Sequence, residues 1–487
     1  MVTFNAVPAA SRVPFTFVEF DSSNASPAAT IQPYKLLVIG QRKTGGTVAE
    51  LVPTRVTNAS QAREYFGAGS VCHRQAIALF ANNVVTEAWF VAQDDAGAGT
   101  KASGTITVTG SATADGTVYF YVNGTRYLAA VSSGDTATDI GNAIRDALNL
   151  DPDSPTIAGA VTGVVTFSAQ NDGEHGNDIH LAVNEGEGEA APAGVSLAVA
   201  AMSGGTNNPD VTAVWPVLGD VHYNIACVPY TDTANLSAMD ARGDVQDGPV
   251  KQLDIRFIGV HQDTHANLLT KAAAGDSRHI ILGGVRNSKT QPLEIAAALA
   301  GRMAEEAQKD PARPFKTLVL NGVVPPNTVD EFTFTEADQL LKQGMTTFLV
   351  TGSGDVAVQR VVTSYKTNAN SAPDEAYLSA NTGLTLSLLR YEIRNMTLTK
   401  YPRHKLGDDG KAFAPGQAIL TPSAYKGELL TLARSWEARG LVENAEALAE
   451  IMIVERNPTD VNRLDVLIQP DLVNQFLIAG VQIQFTL

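Results

Sequence analysis

The sequence predicts a multidomain chain that joins an α/β unit to an α+β unit, and three observations carry that prediction. First, its 487 residues exceed what one hydrophobic core of ordinary size accommodates, so two to four domains are expected. Second, buried-type strand runs alternate with helical periodicity over residues 34–96 and again over 206–350, the pattern of a largely parallel sheet with crossover helices. Third, the composition changes sharply between those stretches: residues 97–205 are rich in Gly, Thr, Ala and Val, which marks a β-rich insertion.

Residues 1–33 form an expected N-terminal arm. Pro8, Pro14, Pro27 and Pro33 interrupt it, yet Val13, Phe15 and Phe17 alternate with Pro14, Thr16 and Val18. That is a short strand with one oily face, and Pro14 suits an edge position. Such a strand needs a sheet to join. In the first α/β stretch, YKLLVIGQ and TEAWFVAQ read as strands, with helical pieces SQAREYFGAGS and HRQAIALFANN between them. In the insertion, strands are expected at 105–109, 117–122, 164–168 and 179–183, a hairpin turn at Asn123 and Gly124, and a helix over 137–150 with Ile140, Ile144, Ala147 and Leu148 on one face. EGEGEAAPAG and GGTNNP close it, and the EGEGE run at 185–189 reads as a solvated linker. In 206–350, VHYNIACVPY, LDIRFIGV, RHIILGGV and KTLVLNGVV read as strands, with a helix over 292–309.

The remainder divides into an α+β domain over 351–475 and a terminal strand over 476–487. Thr421 and Pro422 suit the N-cap and first position of a helix whose apolar stripe is Leu429, Leu432, Ala433 and Trp436, ended by Gly440. Strands are expected within 450–455, 463–469 and 476–487. In the last, Val481, Ile483, Phe485 and Leu487 alternate with Gln482, Gln484 and Thr486.

Composition narrows the function. The formal net charge is −16, and the 35 Lys and Arg are scattered without a cluster. Direct nucleic-acid binding, which needs a basic face, is therefore not expected. Acidic copies packed together repel one another, so an assembly of them needs a stronger link than charge. No apolar run approaches the ~20 residues of a membrane span, so no membrane insertion is expected. The start, MVTFNAVPAASRVPF, lacks the apolar region of a secretory signal. Cys72 and Cys227 sit in apolar runs; two isolated thiols make neither a disulfide framework nor a four-cysteine zinc site, and synthesis in a reducing cytoplasm fits them.

Each chemical motif in the sequence has a plainer structural reading. GQRKTGGT at 40–47 resembles a phosphate-binding loop, but Gly46 stands where the lysine before Ser or Thr should be, and a turn is the expected role. HQDTH at 261–265 spaces His261 and His265 like a zinc-protease helix, but Gln262 replaces the general base and no third ligand is evident. The Gly352-Ser353-Gly354 triplet is too short for a nucleophile elbow. Asp408 and Asp409 precede Gly410 and read as a turn. No catalytic residue, metal site or cofactor is expected. The contrary reading is a cytosolic nucleotide-binding α/β enzyme using residues 40–47.

Several strings, in order along the chain, carry a resemblance: VTNASQAREYFGAGS with ALFANN, MSGGTNNPDVTAVW with NIACVPY, DPARPFKTLVLNGVVPP, VQRVVTSYKTN, YPRHKLGDDGKAF, and GQAILTPSAYKGELLTLARSWEARGLVEN. Together they resemble the tail sheath proteins of contractile phages, Mu-like ones especially, across most of the chain outside 97–205. The resemblance implies a subtilisin-like, non-catalytic α/β domain; fold likeness alone carries no chemistry. It implies copies in hexameric rings stacked helically around a tail tube, in a virion tail, with baseplate and tail terminator proteins as further partners. It further implies that contraction of the sheath drives the tube through the host envelope. A bacteriocin-like or secretion-type contractile machine would use the same subunit. The resemblance also implies that the two chain ends complete the C-terminal sheets of neighbouring copies, which assigns Val13, Phe15, Phe17, Val481, Ile483, Phe485 and Leu487 to inter-subunit strand exchange. It places the C-terminal domain innermost, making Lys405 and Lys411 candidates to face the tube, and the 97–205 insertion outward.

Overall fold

The computed structural model of the chain describes residues 32–414 and 416–486. Val13, Phe15, Phe17 and Leu487 lie outside the described residues. The first elements are β1 (Lys35–Gln41), β2 (Thr54–Val56), α1 (Ala59–Phe66), α2 (Val71–Phe80) and β3 (Glu87–Gln93). β1 is buried along almost its whole length and pairs in parallel with β3 from Lys35↔Glu87 to Gln41↔Gln93. Continuous burial of this kind needs helices on both faces of the sheet. The N-cap side chains are Asn58 for α1 and Ser70 for α2, accepting from the amides of Gln61 and His73. Between the helices, Gly69 has φ +73, and a Cβ there would come 2.4 Å from the Ser154 carbonyl oxygen.

Next come β4 (Ser103–Gly110), β5 (Gly116–Val122), β6 (Thr125–Val131), α3 (Ala137–Asn149), β7 (Thr156–Val161), β8 (Val164–Ala169), β9 (Leu181–Val183) and β10 (Val195–Ser203). They build a four-stranded sheet, β10-β4-β8-β7, and a three-stranded one, β6-β5-β9. Ile106, Phe120, Val165 and Phe167 pack with Ile140, Ile144 and Leu148 of α3 into a core of their own. Asn123 and Gly124 turn the β5–β6 hairpin at φ +51 and +73, the left-handed pair that a two-residue turn requires. The glutamates at 185 and 189 are not solvated linker residues. The Glu189 side chain is 5% exposed and ion-pairs with Arg126 at 2.7 Å, while Glu185 meets His180 at 3.0 Å. The reason is cross-strand: Tyr121 and Arg126 stand opposite each other on β5 and β6 and present two donors to one carboxylate.

The sheet begun by β1 is completed by β11 (Ile225–Cys227), α4 (Thr233–Asp247), β12 (Arg256–Gln262), α5 (His265–Ala274), β13 (Ile280–Val285) and α6 (Pro292–Lys309). Its order is β13-β12-β11-β1-β3-β2, parallel except for β2, which runs antiparallel along β3. Pro292 opens α6, where its missing N–H is no loss. The helix packs its alanine-rich face against the sheet and α2, and Leu36, Val38, Phe90, Ile258 and Ile295 share that core. A second core lies across the sheet around Leu37, Ile39, Tyr230 and Phe257. KTLVLNGVV does not become a strand. Thr317 is at φ +58, which breaks the extended run, and Val319 makes an isolated bridge to Ala357.

The last elements are α7 (Phe334–Lys342), β14 (Thr347–Val350), β15 (Val356–Arg360), α8 (Ala380–Lys400), β16 (Lys405–Leu406), β17 (Ile419–Leu420), α9 (Pro422–Ala438), β18 (Val442–Glu443), α10 (Ala445–Ile451), β19 (Ile453–Arg456), β20 (Leu464–Leu467) and β21 (Asp471–Leu472). Thr421 caps α9 by accepting from the Ala424 amide, and Leu429, Ala433 and Trp436 are buried. Gly440 follows at φ +70, the usual helix-ending conformation. α8 runs through two cores: Ala380 and Leu384 pack with the large sheet, Leu388 and Leu389 with α9. One further strand boundary needs correction. Glu450 belongs to α10, whose buried Leu448 and Ala445 anchor that turn, so the strand starts at Ile453. Within the single chain, residues 476–486 form no strand ladder.

Candidate assembly interface

The C-terminal stretch leaves the body stepwise. The Val473 amide donates to the Leu441 carbonyl at 3.2 Å, Ser379 Oγ donates to Gln475 Oε1 at 3.2 Å, and Lys316 Nζ donates to the Phe476 carbonyl at 2.7 Å. Past that point the side chains face solvent: Val481, Ile483 and Phe485 are 81%, 83% and 80% exposed. These three β-forming apolar residues stand on alternate positions, and Gln482, Gln484 and Thr486, which alternate with them, are exposed as well.

Sheet edges lie in the same region. β19 and β20 form a two-stranded antiparallel ladder, as do β18 and β21, and a two-stranded ladder is marginal by itself. Ile453 and Leu467, opposite each other in the β19–β20 ladder, are 51% and 49% exposed. Among the described residues these ladders carry no third strand. The open edge of a two-stranded ladder carries main-chain donors and acceptors that a further strand can meet.

Lys405 and Lys411 sit at and just beyond β16. Both are exposed, and Lys405 Nζ donates to Gln417 Oε1 at 3.2 Å. The carboxylates of this loop are occupied elsewhere. Asp408 pairs with Arg456 at 2.9 Å, and Asp409 accepts from the Ser423 amide at 3.1 Å, with hydrogen bonds from Ser423 and Thr421 holding its pKa below the usual carboxylate range. With its acids tied back, the loop presents Arg403, His404, Lys405 and Lys411 to solvent.

The other motifs resolve into structure. A Cβ on Gly46 would meet the Tyr65 carbonyl at 2.4 Å and Lys43 Nζ donates to the Ala68 carbonyl at 3.0 Å, so the loop at 40–47 lies packed against α1 with its lysine engaged. His261 is on β12, with Nδ1 2.9 Å from Thr231 Oγ1, and burial draws its pKa down to about 4. His265 opens α5 and its Nε2 lies 3.3 Å from the Glu336 carbonyl. A strand end and a helix start separate the two rings, so the helical i, i+4 register does not exist. Ser353 Oγ donates to Asp355 Oδ2 at 2.7 Å within the β14–β15 turn. Both cysteines are buried free thiols, and burial pushes Cys227 up to about 12. Among the described residues no cluster of three or more His, Cys, Asp or Glu could hold a metal ion, and no helix is long and apolar enough to cross a membrane.

Two polar joints went unseen in the sequence. At the first, the hairpin tip of the insertion enters the body: the Gln291 amide donates to Asn123 Oδ1 at 2.7 Å, Asn123 Nδ2 donates to Glu294 at 2.6 Å, and Arg74 pairs with Glu294 at 2.8 Å. Asn123-Gly124 signals a turn, and nothing in that signal says that the turn docks. At the second, Arg390 of α8 donates to Asp254 at 2.9 Å and lies 3.2 Å from Asp247 of α4. Burial and the neighbouring Asp247 carboxyl push Asp254 up to about 6. Burial opposes ionisation of Asp247 too, but its hydrogen bond with Asp254 and the nearby Arg256, Arg278 and Arg390 draw it down to about 2.

Comparison with known proteins identifies the family. The family model for the phage tail sheath protein central domain matches residues 204–364, and the one for the phage tail sheath C-terminal domain matches residues 372–486. The Mu-like prophage FluMu tail sheath protein of Haemophilus influenzae is 35% identical over 486 residues, covering 100% of both chains. Among solved structures, a chain of the anti-feeding prophage baseplate in its contracted state aligns with a TM-score of 0.50 at 11% identity, over 98% of this chain and 100% of that one. The sheath tail protein of Desulfitobacterium hafniense aligns with a TM-score of 0.47 at 11% identity, over 94% of this chain and 100% of that one. The chain belongs to the phage tail sheath family, and with its mixed α/β, multi-sheet build it is a sheath protein of a contractile tail.

Proposed function

We propose that this subunit polymerises in hexameric rings stacked helically around a tail tube, and contracts to drive the tube through a host envelope. Its role is structural and non-enzymatic, on a subtilisin-like sheet domain that has no peptidase chemistry. Copies are linked by exchange of terminal strands: Val13, Phe15 and Phe17 from one end, Val481, Ile483, Phe485 and Leu487 from the other, completing the C-terminal ladders of neighbours. Lys405 and Lys411 face the tube, residues 97–205 face outward where added bulk interferes least with ring packing, and the ends of the sheath meet baseplate and terminator proteins. The subunit is made in the host cytoplasm and ends in the virion tail.

The observation that supports strand exchange is the exposure of the alternating face at 481, 483 and 485 beside unfilled ladder edges. Each added main-chain hydrogen bond contributes roughly 0.5–1.5 kcal/mol net, and apolar burial adds about 25 cal/mol per Å². Several such bonds per link outweigh the repulsion between acidic copies. Deleting residues 479–487 is expected to leave a soluble subunit with unchanged circular dichroism that forms no tubes under electron microscopy. Normal tubes from the truncated chain would overturn the exchange mechanism.

A further inference from the structure

A cleft of about 220 Å³ lies in the seam between the 97–205 insertion and the body. The short 3-10 turn Glu174–Asp178 forms its insertion side. The body side is Thr231 just past β11, His261 near the end of β12, and Pro292 and Leu293 at the opening of α6. Beside the cleft, amides join the two sides. Gln291 Nε2 donates to the His175 carbonyl at 2.8 Å, and the Val71 backbone amide donates to Asn171 Oδ1 at 3.1 Å. Asp178 has no such partner. Among the described residues no hydrogen bond and no cation steadies its carboxylate, and the charges that act on it, Asp263 and Glu174, are both negative. A carboxylate drawn out of water without a partner favours its neutral form. Burial and these two neighbours push Asp178 up to about 7. Its side chain keeps some exposure to the cleft, which gives the proton a way out.

The other titratable groups around the cleft do not offset this. Burial draws His175 and His261 down to about 4, so both rings are uncharged while Asp178 titrates. Lys271 of α5 senses Asp232, Glu174 and Asp263, but it is not among the charges that act on Asp178. Glu294, in the first turn of α6, is engaged by Arg74. We propose that Asp178 is a pH-sensitive release for the insertion: it seats as a neutral carboxylic acid, and loss of its proton sets it against Glu174 and, across the seam, against Asp263. An exposed aspartate titrates near ~3.9. Between that value and the seated one, the seated insertion therefore holds a proton that the lifted insertion has lost. Seating is strongest at the acidic end of this interval, weakens as pH rises through it, and reaches its floor above the seated value. The release acts within one subunit and is independent of terminal strand exchange.

The test is hydrogen–deuterium exchange of the full-length subunit, read by mass spectrometry between pH ~6 and ~8.5 and corrected for intrinsic exchange rates. Two backbone amides report on the seam: Val71, which donates to Asn171, and Gln291, which donates to Asn123. Asp178→Asn keeps the shape of the side chain and cannot ionise. Protection of both reporters in the parent, divided by that in Asp178→Asn, is expected to fall roughly tenfold across this range. Peptides of the α9 core around Leu429 and Trp436 should show no such fall. The division cancels the histidines, which both proteins share. An unchanged ratio overturns the proposal. An equal loss in the α9 peptides also overturns it, because the whole subunit would then be unfolding. If Asp178→Asn does not fold, Asp263→Asn removes one of the two like charges and keeps an acceptor for the Thr264 amide and the Asn267 side chain. That variant should lose less seam protection than the parent over the same range, and an equal loss overturns the proposal.

Discussion

His175 shows how a single buried ring sets a pH dependence. Its Nε2 lies 2.6 Å from Gln41 Oε1 and 3.2 Å from the Asp172 carbonyl. The Gln41 amide nitrogen already donates to Asp95 and Asp172, so the glutamine oxygen accepts and the imidazole carries its proton on Nε2. Nδ1 is buried and unpartnered among the described residues, and burial draws the ring's pKa down to about 4. An unfolded histidine titrates near ~6.5. The folded state therefore binds fewer protons between those values, and its stability is full above ~6.5 and declines as pH falls toward the folded pKa. The decline approaches ~1.4 kcal/mol per pH unit at its steepest. His175→Gln is expected to be less stable than the parent at pH 7 and to close that gap by pH 5 in urea titrations; a gap that stays constant with pH would sink the argument. Position 175 sits in a short turn among Glu, Gly, Asn and Asp, so nothing in the sequence marked it. Its burial comes from the insertion settling on the body, a long-range event that local pattern does not encode.

Helix and strand signals were legible in proportion to their length and local chemistry. α3, α6 and α9 could be read to within a residue or two, because Thr136, Pro292 and Thr421 supply start chemistry directly in the sequence. Thr421→Ala is expected to cost about 1 kcal/mol of stability and Thr421→Ser almost nothing, measured by denaturant midpoint; equal losses from both would mean the methyl group, not the cap, matters. α6 shows where local reading stops. Gln291 at its start makes no side-chain cap, and the amide there is served from the insertion by Asn123. Two- and three-residue strands such as β2 and β21 were invisible because their pairing, not their composition, defines them. The 316–324 run was misread for the converse reason: its composition is that of a strand, but the turn at Thr317 denies it a partner.

At the scale of the whole molecule, the order of the matching strings revealed the family, and the charge set the problem that assembly must solve. Copies bearing −16 each repel over a Debye length of ~30 Å at 10 mM salt and ~8 Å at 150 mM. Tube formation is therefore expected to need less protein as salt rises through that range, followed by light scattering; the opposite trend would mean that ion pairs between copies outweigh their net repulsion. What the sequence could not show is how the separate cores are coupled. α8 answers that. Its 21 residues make a rod of about 32 Å, clamped at one end among the residues of the large sheet and further along against α9. A rod gripped in two places does not bend freely, so a tilt imposed at its far end is delivered to the sheet as torque. Within one subunit, a load on the α9 side is thus carried to the large sheet through a stiff lever, not through a loose hinge.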